Sequence, residues 1–159
     1  MEVTIRAFKV VKTFDLSQTD GKELPTIGPS ELVGNIEGYP KLLQALQEIS
    51  PVSVSFELID GNAKGFYHLE DKKIVVQDGM SEVQTIKTLL HEMAHQKLHD
   101  KDNVPETKDI SRNGKEVEAE SVAYVVCQHY GINTSDYSFS YVAGWSEGKE
   151  TPELKASLD

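Results

Sequence analysis

Of the 159 residues, one is cysteine, Cys127, and one is tryptophan, Trp145. A lone cysteine excludes an internal disulfide and fits a reducing compartment. No apolar run approaches the ~20 residues needed to cross a bilayer as a helix. The opening segment, MEVTIRAFKVVKTF, has an acidic second residue and no apolar h-region, so it does not read as a secretory signal. Together these absences lead to the expectation of a cytoplasmic protein. Basic residues are also scarce: 16 Lys and Arg stand against 26 Asp and Glu, a formal charge of −10. Phosphate binding needs clustered Lys and Arg. Arg6, Lys9 and Lys12 form one small basic group, which reads as a solvated strand face, so nucleic acid is not an expected partner. There are no internal repeats and no low-complexity segments.

What is present suffices for a globular domain. A chain this long buries roughly 70% of its unfolded surface. It needs no metal merely to fold, so any metal site is expected to serve function. Val3 to Leu16 reads as a strand or hairpin arm, ending in the turn-like SQTDGKELP. Pro40 opens a short helix with Leu42, Leu43, Leu46 and Ile49 on one face. VSVSFEL alternates, with Val52, Val54, Phe56 and Leu58 pointing one way. GFYHLEDKKIVVQDG reads as a hairpin turning at Glu70 to Lys72. Ser81 and Gln84 match a capping box, so a helix starts near Glu82, with Val83, Ile86, Leu89, Leu90, Met93 and Leu98 toward the core. Asp100 to Asn113 is polar, contains Pro105, and reads as a loop. A second long helix runs from about Gly114 to Tyr130, with Gly131 as its stop. Thr151 and Pro152 open a further helix in the tail.

The first long helix carries TIKTLLHEMAHQKLHD, in which HEMAH fits the pattern H-E-x-x-H. Residues four apart lie on one helix face, so His91 and His95 can offer ring nitrogens to one ion. Glu92 is rotated by about 100° from His91. It is thereby aimed beside the ion, where a carboxylate can act as general base toward a water of lowered pKa. A catalytic zinc wants a third protein ligand. His91 and His99 are two turns apart, about 12 Å along the axis, too far to share one ion with bonds of about 2 Å. His99 is therefore expected to support a ligand without touching the ion, to line the pocket, or to be exposed. The remaining source is KEVEAESVAYVVCQHYG. Glu116 and Glu120 fall on the same side as Ala119, Ala123, Val126 and Cys127, whereas Glu118 falls on the flank of Ser121, Gln128 and His129, which reads as more solvated. Carboxylates on a core-facing stripe are costly unless paired or bound to metal. Glu116 is expected to be the third ligand. Glu120, one turn on, is expected to accept the other ring N–H of a ligating histidine. Imidazole and carboxylate donors suit one Zn2+ and admit Mn2+ or Fe2+.

These segments resemble the ImmA/IrrE-like metallo-endopeptidases, and among them the C-terminal domain of ArdC-type antirestriction proteins and their LtrC-like relatives. HEMAH is similar to the zinc-binding helix of that family, and EVEAESVAY to its later glutamate helix, with Glu116 at the third-ligand position. FDLSQTDGKELP resembles the connector after the DNA-binding domain of ArdC-type proteins, and YGINTSDYSFSYVAGWS the segment after the glutamate helix. The resemblance implies an α+β, zincin-like metallopeptidase domain: a small mixed or antiparallel sheet packed on the H-E-x-x-H helix and the glutamate helix. Residues 1–28 would be a strand and connector, and residues 29–159 the metallopeptidase domain of a longer protein.

The leading functional expectation is a zinc metallo-endopeptidase of a mobile genetic element or antirestriction system. Its substrate would be a protein or peptide, a transcriptional repressor being one class. An extended substrate would pair with an edge strand of the hairpin, and Tyr67, His68, His99, Arg112 and Tyr141 are candidate substrate or oxyanion contacts. The alternative is a metal-containing interaction module without proteolysis. Such a module has no need of Glu92.

Overall fold

The computed structural model describes residues 31–103 and 110–145. The expected N-terminal strand and connector of residues 1–28 and the expected tail helix at Thr151 lie outside the described residues. The architecture is α+β, with the order α1 (Tyr39–Ile49), β1 (Ser53–Glu57), β2 (Gly65–His68), β3 (Lys73–Gln77), α2 (Glu82–His99), α3 (Arg112–His129) and α4 (Ser135–Trp145). The sheet is mixed. Its order is β1-β3-β2, with β1 parallel and β2 antiparallel to β3. The hairpin read from GFYHLEDKKIVVQDG is β2–β3, in the register Gly65↔Val76 to His68↔Lys73. Because β3 is central, Ile74, Val75 and Val76 are all buried, a continuous apolar run instead of an alternation.

Helix α2 is the hub of the fold and packs against α3, β2 and β3. It begins where the cap signal places it, with Ser81 Oγ accepting from Gln84 N at 3.1 Å. Only half of the capping box forms. The Gln84 side chain instead accepts from Leu32 N at 3.0 Å and donates to Thr88 Oγ1 at 3.2 Å. The incoming chain is strapped to the first turn of α2, with Ser81 Oγ donating to Leu32 O and Ile36 N donating to Glu82 Oε2. Val83 N donates to Gly34 O at 3.4 Å, which satisfies a helix-end N–H that would otherwise lack a partner.

The core joins Leu46 of α1, Ile74 and Val76 of β3, Ile86, Leu89 and Leu90 of α2, Ala123 and Cys127 of α3, and Ile132. Two expected core positions are solvent-facing: Ile49 is 68% exposed at the last position of α1, and Leu58 is 85% exposed just beyond β1. Each is at the end of its element, where the periodic face no longer has a neighbour. Helix α3 starts two residues earlier than expected, because Ser111 Oγ caps it by accepting from Gly114 N at 3.0 Å. Gly131, at φ 72°, ends it in the left-handed conformation that glycine adopts without strain. Helix α4 was not foreseen. It brings Tyr137, Ser138 and Tyr141 to the site described next.

Candidate metal centre

The face of α2 that looks at α3 carries Lys87, His91 and His95 one turn apart. Fully buried Ala119 and Ala123 on α3 offer only methyl groups at the helix contact, which allows close approach. Across that contact His91 Nε2, His95 Nε2 and Glu116 Oε2 form a triangle with sides of 3.1, 3.3 and 3.6 Å. Tetrahedral coordination with bonds of about 2.0–2.1 Å places ligand atoms about 3.3–3.4 Å apart. The donor set therefore fits a zinc-sized ion, and the three residues form a group able to hold one.

The tautomer of His91 follows from its other nitrogen. His91 Nδ1 lies 3.0 Å from Glu120 Oε2, and a carboxylate can only accept, so Nδ1 carries a proton; Nε2, which faces His95 Nε2 and Glu116 Oε2, carries a second one unless an ion takes its place. Glu120 is wholly buried and receives two further donors, Lys87 Nζ at 2.6 Å and Ser138 Oγ at 2.7 Å. Burial alone would raise the Glu120 pKa, but His91 and Lys87 outweigh it and hold the carboxyl down. Lys87 is itself 3% exposed, and its ammonium lies 4.1 Å from the Tyr137 ring centroid and 5.1 Å from that of Tyr141. Tyr141 Oη donates to Glu116 Oε2 at 2.9 Å, the same oxygen that faces the two histidines. Burial works to raise the Glu116 pKa, but the hydrogen bonds from His91, His95 and Tyr141 hold it well below the usual carboxylate range.

Glu92 stands outside the ligand triangle and lines the same cleft, a cavity of about 640 Å³ between β2, α2, α3 and α4. Burial raises its pKa, tempered by the charges of His91 and His95. A carboxylate so raised is a better proton acceptor, as general-base work requires.

The other expected site residues divide. His99 also lines the cleft, but it is tied to His95 and Glu118, and burial lowers its pKa. Arg112 lines the cleft from the first position of α3. Tyr67 borders the cleft, and its hydroxyl donates to Asp100 Oδ2 at 2.6 Å, which clamps β2 to the end of α2. His68 departs from the expectation. Its side chain points to the alternate face of the strand, where Nδ1 accepts from Asp71 N at 3.1 Å, and it is not among the cleft residues. Glu118 does not sit on a merely solvated flank: its side chain is 17% exposed and reaches His99. Sequence reasoning missed Lys87, Ser138 and Tyr137. The i, i+4 spacing of Lys87 from His91 was a usable signal, whereas Ser138 and Tyr137 depend on where α4 docks.

An uncharacterized protein of Bacillus anthracis, pXO2-81, is 32% identical to this chain over 160 residues, covering 89% of the chain. The chain spans 27% of the length of that relative. No family model matches the sequence, and the search of solved structures returned no significant match. Among the described residues, no helix is long and apolar enough to cross a membrane.

Proposed function

We propose that this chain is a zinc-dependent metallopeptidase domain of zincin-like fold, hydrolysing peptide bonds in a protein substrate. The observation that carries the reading is the triangle of His91 Nε2, His95 Nε2 and Glu116 Oε2, with sides suited to a tetrahedral ion, beside a buried carboxylate that is not one of its corners. His91, His95 and Glu116 would hold the ion. When bound, zinc supplies Lewis acidity, lowering the pKa of water toward ~7 and polarising a carbonyl oxygen.

The protein's own groups do the rest. Glu92 takes a proton from the attacking water and returns it to the departing amine, acting first as base and then as acid. Tyr141, Glu120 and Lys87 keep the ligand side chains in place. Strand β2 forms one edge of the sheet among the described residues and borders the cleft along Gly65 to Tyr67. An extended peptide can add to that edge through main-chain hydrogen bonds. The resemblance of HEMAH and EVEAESVAY to ImmA/IrrE-like endopeptidases and ArdC-type domains supports this reading. It also suggests a setting in mobile-element or antirestriction biology, with a repressor as one substrate class.

The test is Glu92→Gln. Glutamine keeps the shape of glutamate and cannot act as a base at neutral pH. Zinc stoichiometry should stay at the wild-type value while turnover of a protein substrate falls by about 10²–10⁴. Unchanged cleavage would sink the mechanism. Loss of zinc would show that Glu92 is a ligand. A biological activity untouched by the substitution would instead favour a non-proteolytic interaction module.

A further inference from the structure

A second polar chain leaves the histidine pair in the direction opposite to Glu120. His95 Nδ1 lies 2.9 Å from His99 Nδ1, and His99 Nε2 lies 2.9 Å from Glu118 Oε2. Two facing Nδ1 atoms can bond only if one carries a proton and the other does not. Glu118 decides which. Its carboxylate only accepts, so His99 carries its proton on Nε2 and presents a bare Nδ1. His95 must then donate from Nδ1, which leaves its own Nε2 bare. That bare Nε2 is the atom 3.1 Å from His91 Nε2, which supplies the proton of that contact in the metal-free protein, and 3.6 Å from Glu116 Oε2.

We infer that Glu118 and His99 form a positioning relay, which holds His95 in the tautomer and ring orientation that present a bare Nε2 to the ligand triangle. The relay crosses from α3 to α2, so the packing of the two helices sets the state of the histidine. Its parts are sheltered: the His99 side chain is 5% exposed and that of Glu118 is 17% exposed. It repeats the arrangement on the other ligand, where Glu120 fixes His91 directly. His95 stands one turn further along α2, and an intervening imidazole carries the carboxylate's effect to it. Partners of this kind change metal affinity by about 10–100-fold when removed. The consequence for zinc rests on the metal-site reading proposed above; the tautomer itself does not.

The experiment has two readouts on the full chain. Long-range 1H–15N correlation spectra of the metal-free protein at neutral pH report which nitrogen of His95 carries the proton. Competition with a chromophoric chelator reports zinc affinity. The wild type should show His95 protonated on Nδ1. His99→Leu removes the acceptor at similar bulk, so His95 should lose that preference and zinc should bind about 10–100-fold more weakly. His99→Asn offers an amide oxygen about where Nδ1 stood, and should restore both the tautomer and most of the affinity. Glu118→Ala, at a partly exposed position, should weaken zinc in the same direction with the metal-free melting curve little changed. A wild-type His95 protonated on Nε2, His99→Leu with undiminished affinity, or His99→Asn as weak as His99→Leu would each overturn the relay. A wild type that fails to bind zinc while showing the expected tautomer would overturn the metal-site reading and leave the relay standing.

Discussion

Gly65 offers a sharp test of how the sheet is set against the histidine-bearing helix α2. A Cβ at this position would lie 2.7 Å from Thr88 Cγ2, 3.0 Å from Val75 O and 3.3 Å from Glu92 Cγ. Ordinary contacts between carbon atoms are about 3.5–4.0 Å, so Gly65→Ala forces β2 and α2 apart by several tenths of an ångström or more. Two of the three obstacles are stiff: Val75 O is backbone of the central strand, and Thr88 is buried and held by Gln84 Nε2 through its hydroxyl. Overpacking of this kind costs about 1–3 kcal/mol. The third obstacle is the stem of the proposed general base, and a displacement approaching 1 Å there can cost about 10² in rate. Urea unfolding measures the first effect, and single-turnover cleavage by the proposed peptidase activity the second. Thr88→Ser keeps the hydroxyl and removes the obstructing methyl, so the double variant should recover part of the loss, with a coupling of about 1 kcal/mol. Gly65→Ala with wild-type stability and wild-type cleavage would refute the close approach of β2 to α2. Additive effects of the two substitutions would refute Thr88 as the obstacle.

Lys87→Met should lose about 3–5 kcal/mol in urea unfolding, because it leaves the wholly buried Glu120 without its cation; Lys87→Met with Glu120→Gln should regain much of it. Hydrogen bonds from Lys72 and Tyr67 lower the Asp100 pKa from 3.8 to about 2. A depressed carboxyl contributes stability that is present above its unfolded pKa and lost as pH falls through its folded one. The difference in melting temperature between wild type and Asp100→Asn should therefore be constant above about pH 5 and shrink between about pH 4 and 2. A gap that is unchanged across that window would count against the ion pair. Burial pushes the Cys127 thiol up to about 12. Its alkylation at pH 8 should therefore require unfolding and follow the unfolding rate; fast labelling of the native protein would contradict the packing of α3.

The residues legible from the sequence are those whose placement is local. Ser81 and the apolar period define where α2 begins and which side it buries, and four-residue spacing puts His91 and His95 on one face. The same periodicity sorts Glu116 and Glu120 from Glu118 around α3, because direction about a helix axis depends only on position along it. What lies across from a side chain is another matter. Glu118 leaves α3 on a different side from Glu116, yet a glutamate is long and the last turn of α2 passes within its reach, so His99 and Glu118 meet. Tyr67 was open to the substrate by sequence, and the return of the chain at Asp100 takes its hydroxyl. Gly65 reads as a strand glycine of no special standing until α2 is laid against it. Short-range geometry determined the candidate ligands that one helix can present. Only the tertiary structure decided their partners, because hydrogen bonds and steric contacts between elements depend on packing that no local period encodes.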